Sequence, residues 1–194
     1  MELSAYQAGQ FEAQLEYRSF LPEPINHGWT ISDPQVLQLL GQADRALGEL
    51  NAFAQLIPDI EFFIRMYVAK EATQSSRIEG TQTNIEDAFK DAEDLLPEVR
   101  DDWSEVQNYI RAITFAIDSL ERLPLSNRLL RDTHAILLDG VRGETKRPGE
   151  FRISQNWIGV SLKNAVFVPP HHDHVPELMS DLEKFLHNAE AMVP

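Results

Sequence analysis

The chain has 194 residues and a formal net charge of −14, from 17 basic and 31 acidic side chains. That length fits one domain, or one domain with an extension, and the charge argues against a nucleic acid partner, whose phosphates it would repel. With no cysteine in the sequence, disulfides, thiol catalysis and cysteine-ligated zinc are excluded.

No run of about 18 apolar residues is present, so no membrane span is expected. Met1 to Phe20 lack a basic start followed by an apolar block, so no signal peptide is expected and a cytoplasmic protein is the default.

In chain order, Met1 to Gly28 has a weak pattern and is expected to be an irregular arm, broken by Leu21-Pro22-Glu23-Pro24. Asp33-Pro34 then opens a helix, with Asp33 as N-cap and Pro34 in the first turn. Val36, Leu39, Leu40, Ala43, Leu47 and Leu50 recur at helical spacing up to about Ile57, where Pro58 ends the run. A second helix begins at Asp59 with Ile60, Phe63, Ile64, Tyr67 and Val68 on its apolar face. It stops at Gly80, a residue that accepts a left-handed backbone.

Thr83 and Glu86 have capping-box spacing and predict a third helix through Leu95. A connection, 97–102, leads to a long helix over about 102–122. Ser126 caps a further helix that ends at Gly140. Gly143, Pro148 and Gly149 signal a loop. Trp157-Ile158-Gly159-Val160 and Ala165-Val166-Phe167-Val168 predict a hairpin turning at Lys163-Asn164. A last helix covers about 175–188. The fold class is therefore all-α, a helical bundle with one small β-hairpin, and no Rossmann or P-loop unit is present.

Three stretches could carry chemistry. Ser75 and Glu79 are four residues apart on one helix face, and Glu71 extends that face one turn back. An acid at a helix C-terminus faces the negative end of the dipole and costs about 0.3–1 kcal/mol when unpaired. A non-local arginine would relieve it; the plainer alternative is a solvated helix end with a glycine cap. The hairpin could accept an extended peptide by strand addition, or could be a loop packed on the bundle. His171-His172-Asp173-His174 holds metal-ligand types, but successive side chains diverge, so a solvated loop is expected and no metal site. His134, beside Ile136 and Leu137, is expected to be a satisfied core histidine rather than a base.

The segment Ser75-Ser76-Arg77-Ile78-Glu79-Gly80-Thr81-Gln82 resembles the inhibitory-helix motif of Fic-domain proteins, Ser/Thr-x-x-x-Glu-Gly/Asn. Ser75, Glu79 and Gly80 fill its defined positions. The preceding helix, 63–72, is similar to that family as well. So are Glu105-Val106-Gln107-Asn108-Tyr109, His134 with Leu137-Leu138, Gly140-Val141-Arg142-Gly143 and Pro148-Gly149-Glu150-Phe151-Arg152. Ser154-Gln155-Asn156-Trp157-Ile158-Gly159 and Phe167-Val168-Pro169-Pro170 resemble the family's flap. The likeness runs in consistent order from about Ser19 onward.

The resemblance implies a protein adenylyltransferase, which moves AMP from ATP to a hydroxyl of a target protein with Mg2+. It implies that Glu79 is the inhibitory carboxylate and Ser75 its supporting hydroxyl, gating the ATP site with Gly80. It also implies that the flap docks the target through Trp157, Ile158, Gly159, Val166, Phe167 and Val168. The organisation it suggests is an inhibitory helical region over 1–100 and the first part of the catalytic core over 101–194.

The family's catalytic signature, His-Pro-Phe-x-Asp/Glu-Gly-Asn-Gly-Arg-x-x-Arg, belongs after the helix that follows the flap, and none of the six histidines here precedes Pro-Phe. No catalytic residue is assigned, and the chain alone is expected to be inactive, with weak or no ATP binding and no cofactor of its own. It is expected to be the front part of a self-inhibited enzyme, with exposed apolar faces and a possible homodimer. The alternative is a non-enzymatic, antitoxin-like module that acts on a Fic core in trans.

Overall fold

Local capping explains where most helices start and stop. In a computed structural model, which describes all residues except Glu79, Gln82, Glu190, Ala191 and Pro194 and only the backbone of Met192 and Val193, the chain is mostly helical. Helix α1 spans Pro34–Ala54 and α2 spans Ile60–Ile78. Asp33 Oδ1 accepts the Gln35 amide at 2.8 Å, and Asp59 Oδ1 accepts the Phe62 amide at 2.8 Å. Each carboxylate thus satisfies a first-turn donor that the helix itself leaves open. Helices α3 (Arg100–Leu120), α4 (Asn127–Leu137) and α5 (Val175–Leu186) follow. Ser126 caps α4 by accepting the Leu129 amide at 3.3 Å. Among the described residues, no helix is long and apolar enough to cross a membrane.

The chain divides into two compact units, one of residues 47–150 and one of residues 1–46 with 151–194; α1 runs from one into the other. In the first, α3 packs on both α2 and α4. Its most buried residues include Ala69, Ala72, Val106, Ala112 and Leu129. The small side chains on α2 let the helix axes approach, and Tyr109 and Ile110 pack against the cluster of Ala72, Ala88 and Val106. No residue of α1 is buried, and Leu39, Leu47, Leu50 and Phe53 are exposed.

One expected helix does not form. The segment from Thr83 to Leu95 makes 3-10 turns at Asp87–Phe89 and Ala92–Asp94, with another at Pro97–Val99. Asn84, not Thr83, supplies the cap, its Oδ1 accepting the Asp87 amide at 2.8 Å. The Ala88 carbonyl, which a helix would have used four residues on, instead accepts Gln107 Nε2 at 2.7 Å. Six acids between Glu86 and Glu98 add like-charge repulsion that a regular helix would concentrate.

In the second unit, the expected irregular arm contains an antiparallel hairpin, β1 (Gly9–Ala13) with β2 (Arg18–Pro22). Its turn is closed by the Gln14 amide on the Tyr17 carbonyl at 2.8 Å, and Gln14 Nε2 reaches Ser19 Oγ at 3.1 Å. Neither interaction has a glycine turn signature, which is why the sequence does not announce it. Strand β3 (Trp29–Thr30) pairs in parallel with β6 (Met192–Val193). Strands β4 (Ile158–Gly159) and β5 (Ala165–Phe167) form the one hairpin that the sequence predicts, shorter than expected and irregular at Ile158/Gly159.

Helix α5 anchors the start of the chain. The Asp181 carboxylate accepts the Ile25 and Asn26 amides at 2.6 and 3.2 Å. Trp29, buried, donates its indole N–H to the Ile25 carbonyl at 3.0 Å and meets Tyr6 edge-on.

Candidate functional site

The end of α2 lines a cavity of about 600 Å³ in the unit formed by residues 47–150. Ser75 and Ser76 come from α2, Glu105 and Tyr109 from α3, Leu137 and Leu138 from the end of α4, and Val141, Arg142 and Gly143 from the loop after it.

Two features of α3 hold that loop in place. Arg142 makes a two-pronged contact with Glu105, Nε to Oε1 at 2.5 Å and Nη2 to Oε2 at 2.7 Å. Such planar pairing fixes orientation as well as charge. Asn108, buried, donates from Nδ2 to the Leu137 carbonyl at 3.3 Å and the Asp139 carbonyl at 2.7 Å. It therefore satisfies carbonyls that the C-terminus of α4 leaves open. Its Oδ1 accepts a bond from Arg111, which also lies 3.7 Å from Asp139. Glu105, Asn108 and Tyr109 belong to a segment that the sequence singles out, but their partnership with residues 137–142 is more than 25 positions away and leaves no local signal.

Of the three expected gating residues, the structure describes two; Glu79 lies outside the described residues. Ser75 is half-buried at the cavity wall and its hydroxyl donates to Glu71 Oε1 at 2.8 Å, one turn back along α2. Gly80 has φ +101°, and the amides of Gly80 and Thr81 bond back to the Arg77 and Ser76 carbonyls at 3.1 Å each. This two-bond closure is a left-handed C-terminal cap, and glycine is the residue that adopts it without strain.

The flap lies in the unit that contains α5. Trp157, Ile158, Val160, Val166 and Phe167 are exposed, Val166 to 87%, whereas Val168 is 4% exposed and packs inside. Gly159, at φ +134°, lies where an added Cβ would stand 3.0 Å from Ala165 Cα and from the Asn164 carbonyl oxygen. The close cross-strand approach thus requires glycine. Arg152 ties the base of the flap, donating to the Ser154 carbonyl at 3.0 Å and to the Pro170 carbonyl. Partial burial lowers the Arg152 guanidinium from its ordinary value, with Tyr17 acting the other way.

His134 is satisfied but not in the core: it is exposed, and its Nδ1 accepts the Gly149 amide at 2.9 Å. The histidines after the flap are closer together than successive positions suggest, because a 3-10 turn at His172–His174 gathers them. Ligand atoms of His171, His172 and Asp173 lie within 4.8 Å of one another. Asp173 is mostly exposed and sits 3.3 Å from His171 Nδ1 and 3.6 Å from His172 Nε2.

Residues 37–118 match the family model described as Fic/DOC family N-terminal. The match takes in nearly all of α1, all of α2 with Ser75, Glu79 and Gly80, the 3-10 turns and most of α3. The flap and the loop carrying Arg142 lie beyond it. No curated protein matches the chain.

Proposed function

Because this chain carries the Fic/DOC family N-terminal region over residues 37–118, we propose that it is the inhibitory and target-docking portion of a self-inhibited protein adenylyltransferase, which transfers AMP from ATP to a hydroxyl of a target protein. The observation that carries this reading is the placement of the motif helix. The end of α2, with Ser75 at its wall, opens onto a preformed cavity instead of being lost in packing. Glu79 follows α2 directly in the sequence, and blocking a neighbouring nucleotide site is the role the family motif gives it.

Arg142, the cation among the described residues that line the cavity, has its guanidinium paired with Glu105. ATP and Mg2+ belong, in this reading, to the adenylyltransferase of which the chain is proposed to be a part, and no catalytic step is assigned to the residues here.

The flap supplies the docking edge. Its exposed Trp157, Ile158, Val166 and Phe167 would meet the target, and Gly159 gives the bend. Val168, buried, positions the strand without touching the partner.

The test is to incubate the protein encoded by the complete reading frame with ATP labelled at the α-phosphate, Mg2+ and a lysate of its own cells. Label transferred to protein is expected, and it should disappear when the label is moved to the γ-phosphate. Transfer from the γ-position alone would replace adenylylation with phosphorylation. If instead this chain suppresses transfer by a separate catalytic core, the in-trans module is the correct reading.

A further inference from the structure

The turn between the flap and α5 gathers three metal-ligand side chains that an extended backbone would spread apart. His171 is extended, at φ −56° and ψ 143°, and the 3-10 turn over His172–His174 then leads the chain into α5. The His171 and His172 rings lie side by side as a result, with centroids 4.1 Å apart and planes 36° from parallel. The Asp173 carboxylate spans both rings: Oδ2 is 3.3 Å from His171 Nδ1, and Oδ1 is 3.6 Å from His172 Nε2. Adjacent ligands of a tetrahedral ion bound at about 2.0–2.1 Å stand about 3.3–3.4 Å apart, so both spacings are close to those of a ligand set. Ligand atoms of all three residues lie within 4.8 Å of one another, and no other such group of three occurs among the described residues.

The contacts of His171 point to a cation. Its Nδ1 faces the Asp173 amide at 3.4 Å and the Asp173 carboxylate at 3.3 Å. As a lone pair it accepts from the amide but opposes the carboxylate; as an N–H it does the reverse. An ion between ring and carboxylate removes the opposition and costs only the long amide bond. The two imidazoles are 26% and 28% exposed, which leaves water free to complete the coordination. The positive end of α5 works against a cation here, and Asp173, Glu177 in the first turn and Glu12, 3.6 Å from His174, offset it. Loading His172 through Nε2 puts its proton on Nδ1, which is buried without a partner among the described residues. That cost, with only three protein ligands, makes the expected affinity micromolar. Two imidazoles with one carboxylate suit Zn2+ rather than Mg2+, which takes oxygen ligands and keeps much of its water.

We propose that His171, His172 and Asp173 bind one Zn2+, with water completing its coordination, and that the ion clasps the base of the flap to the start of α5. His171 directly follows Pro169-Pro170, whose carbonyls accept Gln155 and Arg152 at the flap's base. Asp173 leads into α5, whose Asp181 holds the Ile25 and Asn26 amides. All of these residues lie in one compact unit, and the site is independent of AMP transfer.

The experiment titrates the tag-free chain with zinc chloride by calorimetry in millimolar Mg2+ and follows the imidazole nitrogens by NMR. One ion per chain is expected, with a low-micromolar dissociation constant that Mg2+ does not change. The ring nitrogens of His171 and His172 should shift, and those of His27, His134 and His187 should not. His172→Gln and Asp173→Asn should each weaken binding at least about tenfold, since even partners outside the ligand set cost that much, whereas His134→Gln should leave it unchanged. Amides from Val168 to Val175 should exchange more slowly with the ion bound. Millimolar binding, or shifts spread over all six histidines, means an adventitious ion only and overturns the site, as does binding indifferent to both ligand substitutions. The parent-chain spectra decide the matter even if a variant misfolds. Binding at the three residues without slower exchange overturns the clasp.

Discussion

Replacing Asn108 tests how the cavity wall is built. Its amide donates to two carbonyls at the end of α4 and accepts one bond from Arg111. Asn108→Ala removes two donated bonds worth about 1 kcal/mol each and leaves their carbonyls short of partners. The Arg111 bond is largely recovered from water, since that side chain is 57% exposed. The expected cost is thus about 2–3 kcal/mol. Asn108→Asp is the sharper variant. It keeps the size and shape of the side chain but turns oxygens toward the Leu137 and Asp139 carbonyls and places a carboxylate where the residue is buried. It should cost at least as much as alanine.

Because the chain has two units, a single unfolding midpoint would mix them. Amide hydrogen exchange reads the effect locally. Amides in the last turn of α4 and in Val141 to Gly143 should exchange roughly 30- to 150-fold faster in either variant, the equivalent of that cost. Exchange within threefold of the parent protein for Asn108→Asp would refute the donor role, because a residue acting only through its shape tolerates its isostere.

Other substitutions probe other joints. Gly80→Ala forces a Cβ onto a left-handed backbone at φ +101° with no steric neighbour among the described residues, so a loss of about 1–2 kcal/mol from backbone strain should appear as faster amide exchange in the last turn of α2. Gly159→Val should disorder the β4–β5 hairpin, seen as lost cross-strand nuclear Overhauser contacts between Ile158 and Phe167, while α2 to α4 keep their exchange protection. Ser126→Ala should destabilise α4 by about 1 kcal/mol through loss of its cap, with unchanged exchange in α5 as the control.

The helix ends were legible because their causes are local. Asp33, Asp59, Ser126 and Gly80 each act on backbone groups within five residues, and the structure finds each acting as its position predicts. The failures have non-local causes. Thr83 to Leu95 carries a capping signature, yet Gln107, on another element, takes the Ala88 carbonyl. The β1–β2 hairpin is tied to Val168, almost 150 residues onward, and no pattern within Met1 to Gly28 contains that partner. The site divides in the same way. Ser75 and Gly80 could be picked from their spacing and family likeness. The Glu105–Arg142 pair and the Asn108 brace join segments that only the fold brings together. Alternation in a three-residue strand is too short to assign faces, so the sequence does not distinguish buried Val168 from its exposed neighbours.

We propose that Glu79 restrains AMP transfer. The most direct test is the initial rate of AMP incorporation from α-labelled ATP, comparing the adenylyltransferase proposed to include this chain with its Glu79→Gly variant. The account predicts a clear rise in the variant, with Ser75→Ala giving a smaller rise in the same direction. An unchanged or lower rate in a correctly folded Glu79→Gly protein would contradict it.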